Sequence, residues 1–202
     1  MDTFYSIDDD RRTDIKIKRS AFICSLRYAN TISDAKKFIA SVSSDHKQAT
    51  HNCWAYIVGE KGEVSHSSDN GEPTGTAGKP MLNALQSNKM TNIAAVVTRY
   101  YGGVKLGVRG LIEAYSQSVI SAIELAPLKK IVSVRKYIID LPYSFNDTLL
   151  YHLNNFNVKI TETRYSDIIS HDVEVDEEHW HDVDLLLDEY QKSGKVKLLH
   201  KI

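Results

Sequence analysis

The sequence predicts an α+β fold built from two units. The 202-residue chain has an ordinary globular composition, with 42% apolar and 25% charged residues. This composition excludes a disordered, collagen-like or low-complexity chain, and the length allows one domain or two small ones. Stretches with the two-residue alternation of a strand are interspersed with stretches of helical spacing. The pattern changes near residue 128, so we predict one domain over residues 1–128 and another over residues 129–202.

The first part of the first unit is predicted to contain a strand, a helix and a hairpin. An alternating pattern predicts the strand over residues 16–26. Apolar residues at helical spacing predict a helix from about Ser33. Residues 53–58 and 64–67 predict a hairpin around Lys61-Gly62.

The second part of the first unit places a Gly-rich loop before each of two helices. The loop over residues 69–78 leads into a short helix opened by Pro80, because proline is favoured at the first helical position. The continuous apolar run of residues 93–97 predicts a strand covered on both faces. The loop over residues 99–107 leads into a long helix that ends at Pro127. The inward residues of that helix are predicted to be Ile112, Tyr115, Val119 and Ile123.

The second unit is predicted to have the order β-α-β-β-α-β. The predicted strands cover residues 131–141, 158–165, 168–175 and 196–199. Ser144 stands where the first helix needs an N-cap, and Gly194 ends the second helix. This order is that of a ferredoxin-like, split βαβ unit.

The N-terminal stretch, the short apolar runs and the small number of cysteines together predict a cytoplasmic protein. The acidic N-terminal stretch lacks the basic and then apolar pattern of a signal peptide, and no apolar run is long enough to span a membrane. The two cysteines, Cys24 and Cys53, are too few for a disulfide framework, which favours a reducing compartment.

The charge balance excludes a bulk polycation made for nucleic acid. The formal net charge is −1. Between residues 69 and 110, however, the sequence contains five basic residues and only two acidic ones. Any anion-binding surface is therefore expected to be local.

Two segments hold seven of the ten glycines, namely residues 69–80 and 99–111. Such concentration indicates positions with positive φ or a close backbone approach. Both segments lead into helix N-termini, which favour anions. The candidate anion-binding or partner-binding residues are Asp69, Gly71, Glu72, Thr74, Gly75, Thr76, Gly78 and Lys79 in the first segment, and Arg99, Tyr100, Tyr101, Gly102, Gly103, Lys105, Gly107 and Arg109 in the second.

Three interpretations of these segments stay open. Pro80 follows Gly78-Lys79, so the Walker A pattern fails, and the second segment does not fit G-x-G-x-x-G. The segments could form a non-standard phosphate cradle, or tight turns in which Asp69 and Glu72 cap exposed N–H groups. They could also form a recognition surface for RNA or protein, with Arg99 and its neighbouring tyrosines stacking on a base or gripping a partner.

The residues favour neither a metal site nor hydrolytic chemistry. His51 and Cys53 share a strand face and His66 could join them, but zinc usually needs more ligands. A packed cysteine beside a hydrogen-bonded histidine is the favoured interpretation. The chain lacks G-x-S-x-G and H-E-x-x-H, and a Cys53–His51 nucleophile and base pair is disfavoured because residues two apart need not reach each other. We therefore expect no metal, no cofactor and no catalytic residue.

The sequence resembles the IMPACT/YigZ family in four motifs. These are Lys18-Arg19-Ser20-Ala21-Phe22, His51-Asn52-Cys53-Trp54-Ala55 and the two Gly-rich segments, within the first 128 residues. The resemblance implies an N-terminal domain similar to the second domain of a small-subunit ribosomal protein. It also implies a ferredoxin-like C-terminal domain similar to a domain of elongation factor G. Eukaryotic relatives regulate translation by competing for an activator of an initiation-factor kinase, and the two-domain prokaryotic branch implies a nucleic-acid or ribosome-linked role.

Two positions depart from the family pattern. Asn70 stands where the family commonly has Asp, which argues against a carboxylate-bound metal. Arg109 stands where glycine is common and adds positive charge beside the second segment.

The sequence therefore favours a non-enzymatic, translation-associated binding protein that contacts RNA, the ribosome or a translation factor through the two Gly-rich segments. The alternatives are a protein adaptor without RNA contact and a small enzyme acting on a phosphorylated or nucleotide substrate. We expect no membrane partner, and the oligomeric state stays open.

Overall fold

The computed structural model describes residues 3–156 and 158–201, which divide into two compact units. The first unit ends at Ile131 and the second begins at Val132. Both combine antiparallel sheets with helices, which confirms the predicted α+β class. Residues 1, 2 and 202, at the outer bounds of the two predicted domains, lie outside the described residues. No helix in the described part of the chain is both long and apolar enough to cross a bilayer.

The described residues of the first unit form a five-stranded antiparallel sheet in the order β2-β3-β6-β4-β5, and a separate pair β1-β7. The strands are β1 (Phe4–Ser6), β2 (Arg11–Ile17), β3 (Ser20–Tyr28), β4 (His51–Val58), β5 (Val64–Ser68), β6 (Ile93–Tyr100) and β7 (Lys129–Ile131). The helices are α1 (Ile32–Asp45), α2 (Gly78–Ser87) and α3 (Gly107–Ile123).

The single strand predicted over residues 16–26 is wrong, because the chain reverses within it. Strands β2 and β3 form a hairpin in which Ile17 pairs with Ser20. Lys18 and Arg19 make the turn with φ of 44° and 70°. Two-residue hairpin turns with both φ values positive usually contain Asn or Gly, so this turn carries none of the usual sequence signals.

The sheet is covered on both faces, and β6 runs through its middle. Every residue of Ile93–Arg99 is buried, which confirms the predicted two-sided burial. Helix α1 packs Phe38 and Val42 against one face, while α2 and α3 cover the other. The sheet therefore presents one face to α1 and the opposite face to the two helices that follow the Gly-rich segments.

Three details of the helices correct the sequence predictions. Helix α1 begins at Ile32, one residue before the predicted start at about Ser33, and is capped by Thr31. Helix α2 begins at Gly78, so Pro80 is its third residue and not its first. Ile112 is 37% exposed rather than inward, because the buried stripe of α3 runs instead through Leu111, Ala114 and Tyr115.

The second unit has the predicted element order β-α-β-β-α-β. Its elements are β8 (Val134–Leu141), α4 (Asn146–Asn154), β9 (Lys159–Tyr165), β10 (Ile169–Asp176), α5 (Trp180–Lys192) and β11 (Lys197–Lys201). The strands form an antiparallel sheet in the order β11-β8-β10-β9. Its core joins the sheet to the buried sides of α4 and α5.

Two predicted features of the second unit are wrong. The strand predicted over residues 131–141 is interrupted, because Ile131 belongs to β7 and pairs with Phe4 of the first unit. Ser144 does not cap α4 but lies within a 3-10 turn, Tyr143–Phe145, and α4 begins at Asn146 without a side-chain cap. Gly194 ends α5 as predicted, with a φ of 70°.

Candidate functional site

The two Gly-rich segments meet at one cavity of about 500 Å³ in the first unit. Glu72 and Pro73 come from the first segment, and Arg99, Tyr101 and Lys105 come from the second. The remaining lining residues are Thr50, His51, Leu106, Gly107, Val108 and Leu111. A concave site of this size falls in the usual range for small-ligand pockets.

Strand pairing brings the polar floor of the cavity together. His51 is the first residue of β4 and pairs directly with Arg99 near the end of β6. On the other side of β6, Arg99 pairs with Phe22 of β3. Paired residues on neighbouring strands point to the same face, which here is the face covered by α2 and α3. The floor is therefore set by the rigid sheet, and the walls by the two segments.

A buried ion pair between Arg99 and Glu72 forms the centre of the site. Arg99 Nη1 donates to Glu72 Oε1 over 2.6 Å, and the two side chains are only 6% and 3% exposed. Tyr115 of α3 donates its hydroxyl to the same oxygen over 2.9 Å. Because Glu72 neutralises the guanidinium, the depth of the cavity has little net positive charge.

Aromatic rings enclose the Arg99 guanidinium. Its central carbon lies 5.3 Å from the ring centroids of both Phe22 and Tyr101. Phe22 is fully buried, whereas Tyr101 is 45% exposed and forms part of the rim. Tyr101 is fixed by its own N–H, which donates to Thr50 Oγ1 over 3.0 Å.

His51 lies between the Asn70 carbonyl and the Glu72 carboxylate. Its Nδ1 lies 2.9 Å from the carbonyl oxygen of Asn70. Since a carbonyl can only accept, Nδ1 carries a hydrogen and donates it. The Nε2 atom of the same ring lies 3.9 Å from Glu72 Oε2.

Asp69 organises the first segment and caps α2. Its carboxylate accepts from the backbone N–H groups of Gly75, Ala77 and Gly78 over 2.8 to 2.9 Å. Burial raises the pKa of Asp69, but these three donations outweigh it, and the pKa lies below its ordinary value. A Cβ on Gly78 would lie 2.7 Å from the backbone of Ser68, so only glycine allows this approach. Asp69 thus caps exposed N–H groups, as one of the three interpretations expected, whereas Glu72, expected to do the same, accepts from the side chains of Arg99 and Tyr115 instead.

The second segment is held against the β2–β3 turn. The Gly102 N–H donates to Ser20 Oγ over 3.2 Å. A Cβ on Gly102 would overlap the backbone of Arg19. This contact places the exposed, basic Lys18-Arg19 turn beside the second segment.

The other predicted residues lie away from the cavity lining. Lys79 and Gly75 line a separate groove of about 360 Å³ between α2 and α3. Tyr100 lies on the opposite sheet face, where its hydroxyl contacts His46 Nδ1 at 2.8 Å. Arg109 is exposed and pairs with Glu113. The remaining candidates are Thr76, whose hydroxyl donates to the Pro73 carbonyl, and Gly71, Thr74 and Gly103, which are exposed.

Sequence reasoning missed several lining residues, notably Thr50 and the apolar wall of Leu106, Val108 and Leu111. His51 was singled out only as a candidate metal ligand or base. Its pairing with Arg99 depends on β4 lying next to β6, and strand order is not encoded in local periodicity.

Burial disfavours the thiolate form of Cys53, which a cysteine nucleophile needs. Burial raises the pKa of Cys53 to about 12. Its Sγ donates to the Asp69 carbonyl over 2.8 Å, as expected of a packed cysteine.

His66 does not join His51 and Cys53, because it pairs with Tyr56 on the opposite sheet face. Residues 3–156 and 158–201 contain no cluster of three His, Cys, Asp or Glu that could hold a metal ion.

Comparisons with known proteins agree with the motif resemblance. The chain is 43% identical to the IMPACT family member YvyE of Bacillus subtilis over 119 residues, 59% of this chain and 55% of that protein. It is 38% identical to the IMPACT family member YigZ of Escherichia coli over 130 residues, 63% of this chain and 64% of that protein. Protein IMPACT of Rattus norvegicus is 33% identical over 95 residues, 45% of this chain and 29% of that protein. The matches thus span less than two thirds of these relatives' own length.

A solved structure resembles the chain over nearly its whole length. It is a crystal structure described as that of a hypothetical protein, with a TM-score of 0.67 and 30% sequence identity, covering 98% of this chain and 97% of that one. A family model, the Impact N-terminal domain, matches residues 18–123, which include the whole cavity. That match spans more than half of the chain, and the chain therefore belongs to the IMPACT family.

Proposed function

We propose that the protein is a non-enzymatic, translation-associated regulatory protein that contacts RNA or the ribosome through the rim of this cavity. The observation that carries the proposal is that both Gly-rich segments line one cavity with an exposed tyrosine and an exposed lysine at its rim. The link to translation rests on the family resemblance, whose eukaryotic members regulate translation.

The charges around the rim support RNA as the partner. Lys105 is exposed and makes no ion pair with any described residue, and the same holds for Lys18 and Arg19 in the adjoining turn. Exposed cations beside an exposed aromatic ring are the usual elements of single-strand recognition, because phosphates contact the cations while bases stack on the ring. A chain with a net charge of −1 can bind RNA through such a local surface.

The site chemistry supports binding rather than catalysis. Burial raises the pKa of the Cys53 thiol to about 12, and the Glu72 carboxylate is already paired with the Arg99 guanidinium. These groups are stabilised in the resting structure and are not poised to react. A phosphorylated or nucleotide substrate for an enzyme is the least favoured alternative, and we propose no cofactor.

Apolar residues at the rim favour a second candidate, a protein adaptor without RNA contact. Val108 lines the cavity at the start of α3 and is 61% exposed, and Val104, exposed in the same Gly-rich segment, lies outside the lining. Such side chains would fit a translation-related protein partner and not a phosphate backbone.

We also propose finer assignments for the fold and location. The first domain, residues 1–128, would resemble the second domain of a small-subunit ribosomal protein. The second, residues 129–202, would be ferredoxin-like, since its element order is β-α-β-β-α-β. The two free cysteines accord with a cytoplasmic location.

Salt-dependent RNA binding tests the proposal. Affinity for a ribosomal RNA fragment that contains single-stranded loops should fall by about tenfold or more between about 50 and about 200 mM salt, because phosphate contacts release counterions. Lys105→Ala should weaken binding and lower the salt slope by about one. Lys36→Ala, on the exposed surface of α1, is the matched control and should bind normally. Absence of RNA binding at about 50 mM salt would contradict the RNA proposal. If the protein instead keeps a translation factor bound at high salt, the alternative of a protein adaptor without RNA contact is favoured.

A further inference from the structure

The second Gly-rich segment leads into a helix whose first N–H groups have no acceptor. Helix α3 begins at Gly107, and its N-cap residue, Leu106, makes no capping hydrogen bond through its side chain. The first N–H groups of a helix have no partner within the helix. In the described part of the chain, no residue accepts from the N–H of Gly107 or Val108, and both residues line the cavity. The start of α2, by contrast, is capped by Asp69.

The floor of the same cavity contains a buried donor without an acceptor. Arg99 donates from Nη1 to Glu72 and from Nη2 to Ser20 Oγ, and its side chain is only 6% exposed. Its Nε is buried and has no hydrogen-bond partner among the described residues. A buried donor left unpaired is unfavourable, so a ligand that supplies an acceptor to Nε gains affinity. The sheet and the helix thus independently select a ligand that carries acceptor oxygens.

The charges of the lining residues favour an anion at the α3 end of the cavity. Glu72 is the acid among the lining residues, and its ion pair with Arg99 leaves no net charge from these two side chains. Lys105 lies two residues before α3, is exposed, and makes no ion pair with any described residue. The helix dipole adds partial positive charge at the same place. An anion bound here therefore meets Lys105 and the free N–H groups together.

This set of donors suits a phosphate at the end of a chain better than one inside a chain. A phosphomonoester has three terminal oxygens and a charge of about −1.5 to −2 near pH 7. A phosphodiester has fewer free oxygens and a smaller charge, and its chain has to leave the site in two directions. The apolar walls of Pro73, Leu106 and Leu111 restrict these exits from a cavity of about 500 Å³.

We propose that the cavity binds the terminal phosphate of a single-stranded RNA at the N-terminus of α3, with one phosphate oxygen directed at Arg99 Nε. The exposed ring of Tyr101 at the rim provides a stacking face for the base next to that phosphate. This inference rests on the proposed RNA-binding function and names the part of the RNA that the cavity holds.

Calorimetric titration of unlabelled RNA tests the inference, because no dye then occupies either end. Single-stranded oligonucleotides of about four nucleotides share one sequence and carry a 5′-phosphate, a 3′-phosphate or hydroxyl groups at both ends. At least one phosphorylated form should bind about tenfold more tightly than the hydroxyl form, because it adds charge-assisted hydrogen bonds. Equal affinity for all three would overturn the terminal-phosphate inference and leave the RNA function standing, whereas no binding to any of them would overturn both.

Nuclear magnetic resonance of the same titrations shows which donors contact the phosphate. The phosphorylated oligonucleotide should shift the Nε–H signal of Arg99 and the backbone N–H signals of Gly107 and Val108, and the hydroxyl form should shift them less. Unchanged signals with the phosphorylated RNA bound would overturn the assignment of the site. Shifts with inorganic phosphate but with no oligonucleotide would assign the site to a free phosphate compound and overturn the RNA inference.

A proline substitution removes one of these donors without changing the charge. Val108→Pro deletes the N–H of the second residue of α3, and proline is tolerated in the first turn of a helix. The substitution should lower the gain from the terminal phosphate by about threefold or more. The matched control, Ser33→Pro, changes the second residue of α1 and should keep the full gain. A full gain in Val108→Pro would contradict the inference, and if this variant fails to fold, the signal shifts of the unaltered protein decide.

Discussion

The two units use the same chemical pair, arginine with a carboxylate, in opposite environments. In the first unit, Arg99 and Glu72 are 6% and 3% exposed. In the second, Arg164 is 44% exposed on the sheet surface and pairs with Glu162 and Asp172. A surface pair contributes little because water screens it, whereas a buried pair must compensate the desolvation of two charges. A buried pair is therefore weak evidence for stability, although removing one partner alone is costly.

The same contrast separates the two sheets as candidate binding surfaces. The sheet of the second unit carries cross-strand ion pairs such as Lys136–Glu174, which already occupy its polar groups. Four-stranded sheets that bind RNA instead present aromatic side chains for stacking. We therefore expect nucleic-acid contacts in the first unit, at Tyr101 and the second Gly-rich segment.

The largest expected effect comes from breaking the buried pair. Arg99→Met should lower the free energy of unfolding of the first unit by about 3–5 kcal/mol, because Glu72 stays buried without its partner. Unfolding of this unit in denaturant can be followed through Trp54 in a Trp180→Phe background, and unfolding of the other unit through Trp180 in a Trp54→Phe background. Adding Glu72→Leu to Arg99→Met should restore most of the loss. A loss below about 1 kcal/mol for the single variant would mean that the pair is not desolvated as described.

A smaller loss of stability is expected when Asp69, which caps the start of α2, is replaced. Asp69→Ala should destabilise the first unit by about 1–2 kcal/mol, because the N–H groups at the start of α2 lose their acceptor. The pKa of Asp69 is lower in the folded protein than its ordinary value of about 3.8. The contribution of the Asp69 carboxylate to the free energy of unfolding is therefore complete above that pH, and it is lost as the pH falls through the pKa of the folded state. Asp69→Asn should lose less stability than the unaltered protein on acidification, and an identical acid profile would contradict this account.

The second unit should show a pH effect of its own in a different range. His171 is buried between Thr163 and Asn146, and burial lowers its pKa below the ordinary value. Folding thus favours the neutral ring of His171. The contribution of His171 to the free energy of unfolding is therefore complete above about pH 6.5, and it declines as the pH falls through the pKa of the folded state. Unfolding followed through Trp180 should show lower stability at pH 5 than at pH 7, a difference that His171→Leu removes. A difference that persists in this variant would assign the effect to other groups.

The smallest effect is expected on the surface of the second unit. Arg164→Ala removes exposed ion pairs that salt already screens, so the unfolding curve reported by Trp180 should barely move. Any small loss should vanish at high salt. A loss as large as that of Arg99→Met would abolish the contrast between the two environments.

The sequence predicted what local pattern encodes and missed what distant pairing creates. The buried run of β6 and the β-α-β-β-α-β order followed from periodicity and turn residues. The Lys18-Arg19 turn was missed because it has no glycine or asparagine. Glu72 and Arg99 were both named as candidates, but their contact joins residues 27 positions apart and depends on the position of a loop over the sheet. The neutralised floor of the cavity could therefore not be predicted from a local excess of basic residues.

Backbone hydrogen exchange with and without single-stranded RNA tests most directly whether the two Gly-rich segments form one binding site. RNA should slow exchange in residues 69–76 and 99–108 together, and Lys105→Ala should reduce this protection in both. Protection confined to the sheet of the second unit, with both segments unchanged, would contradict it.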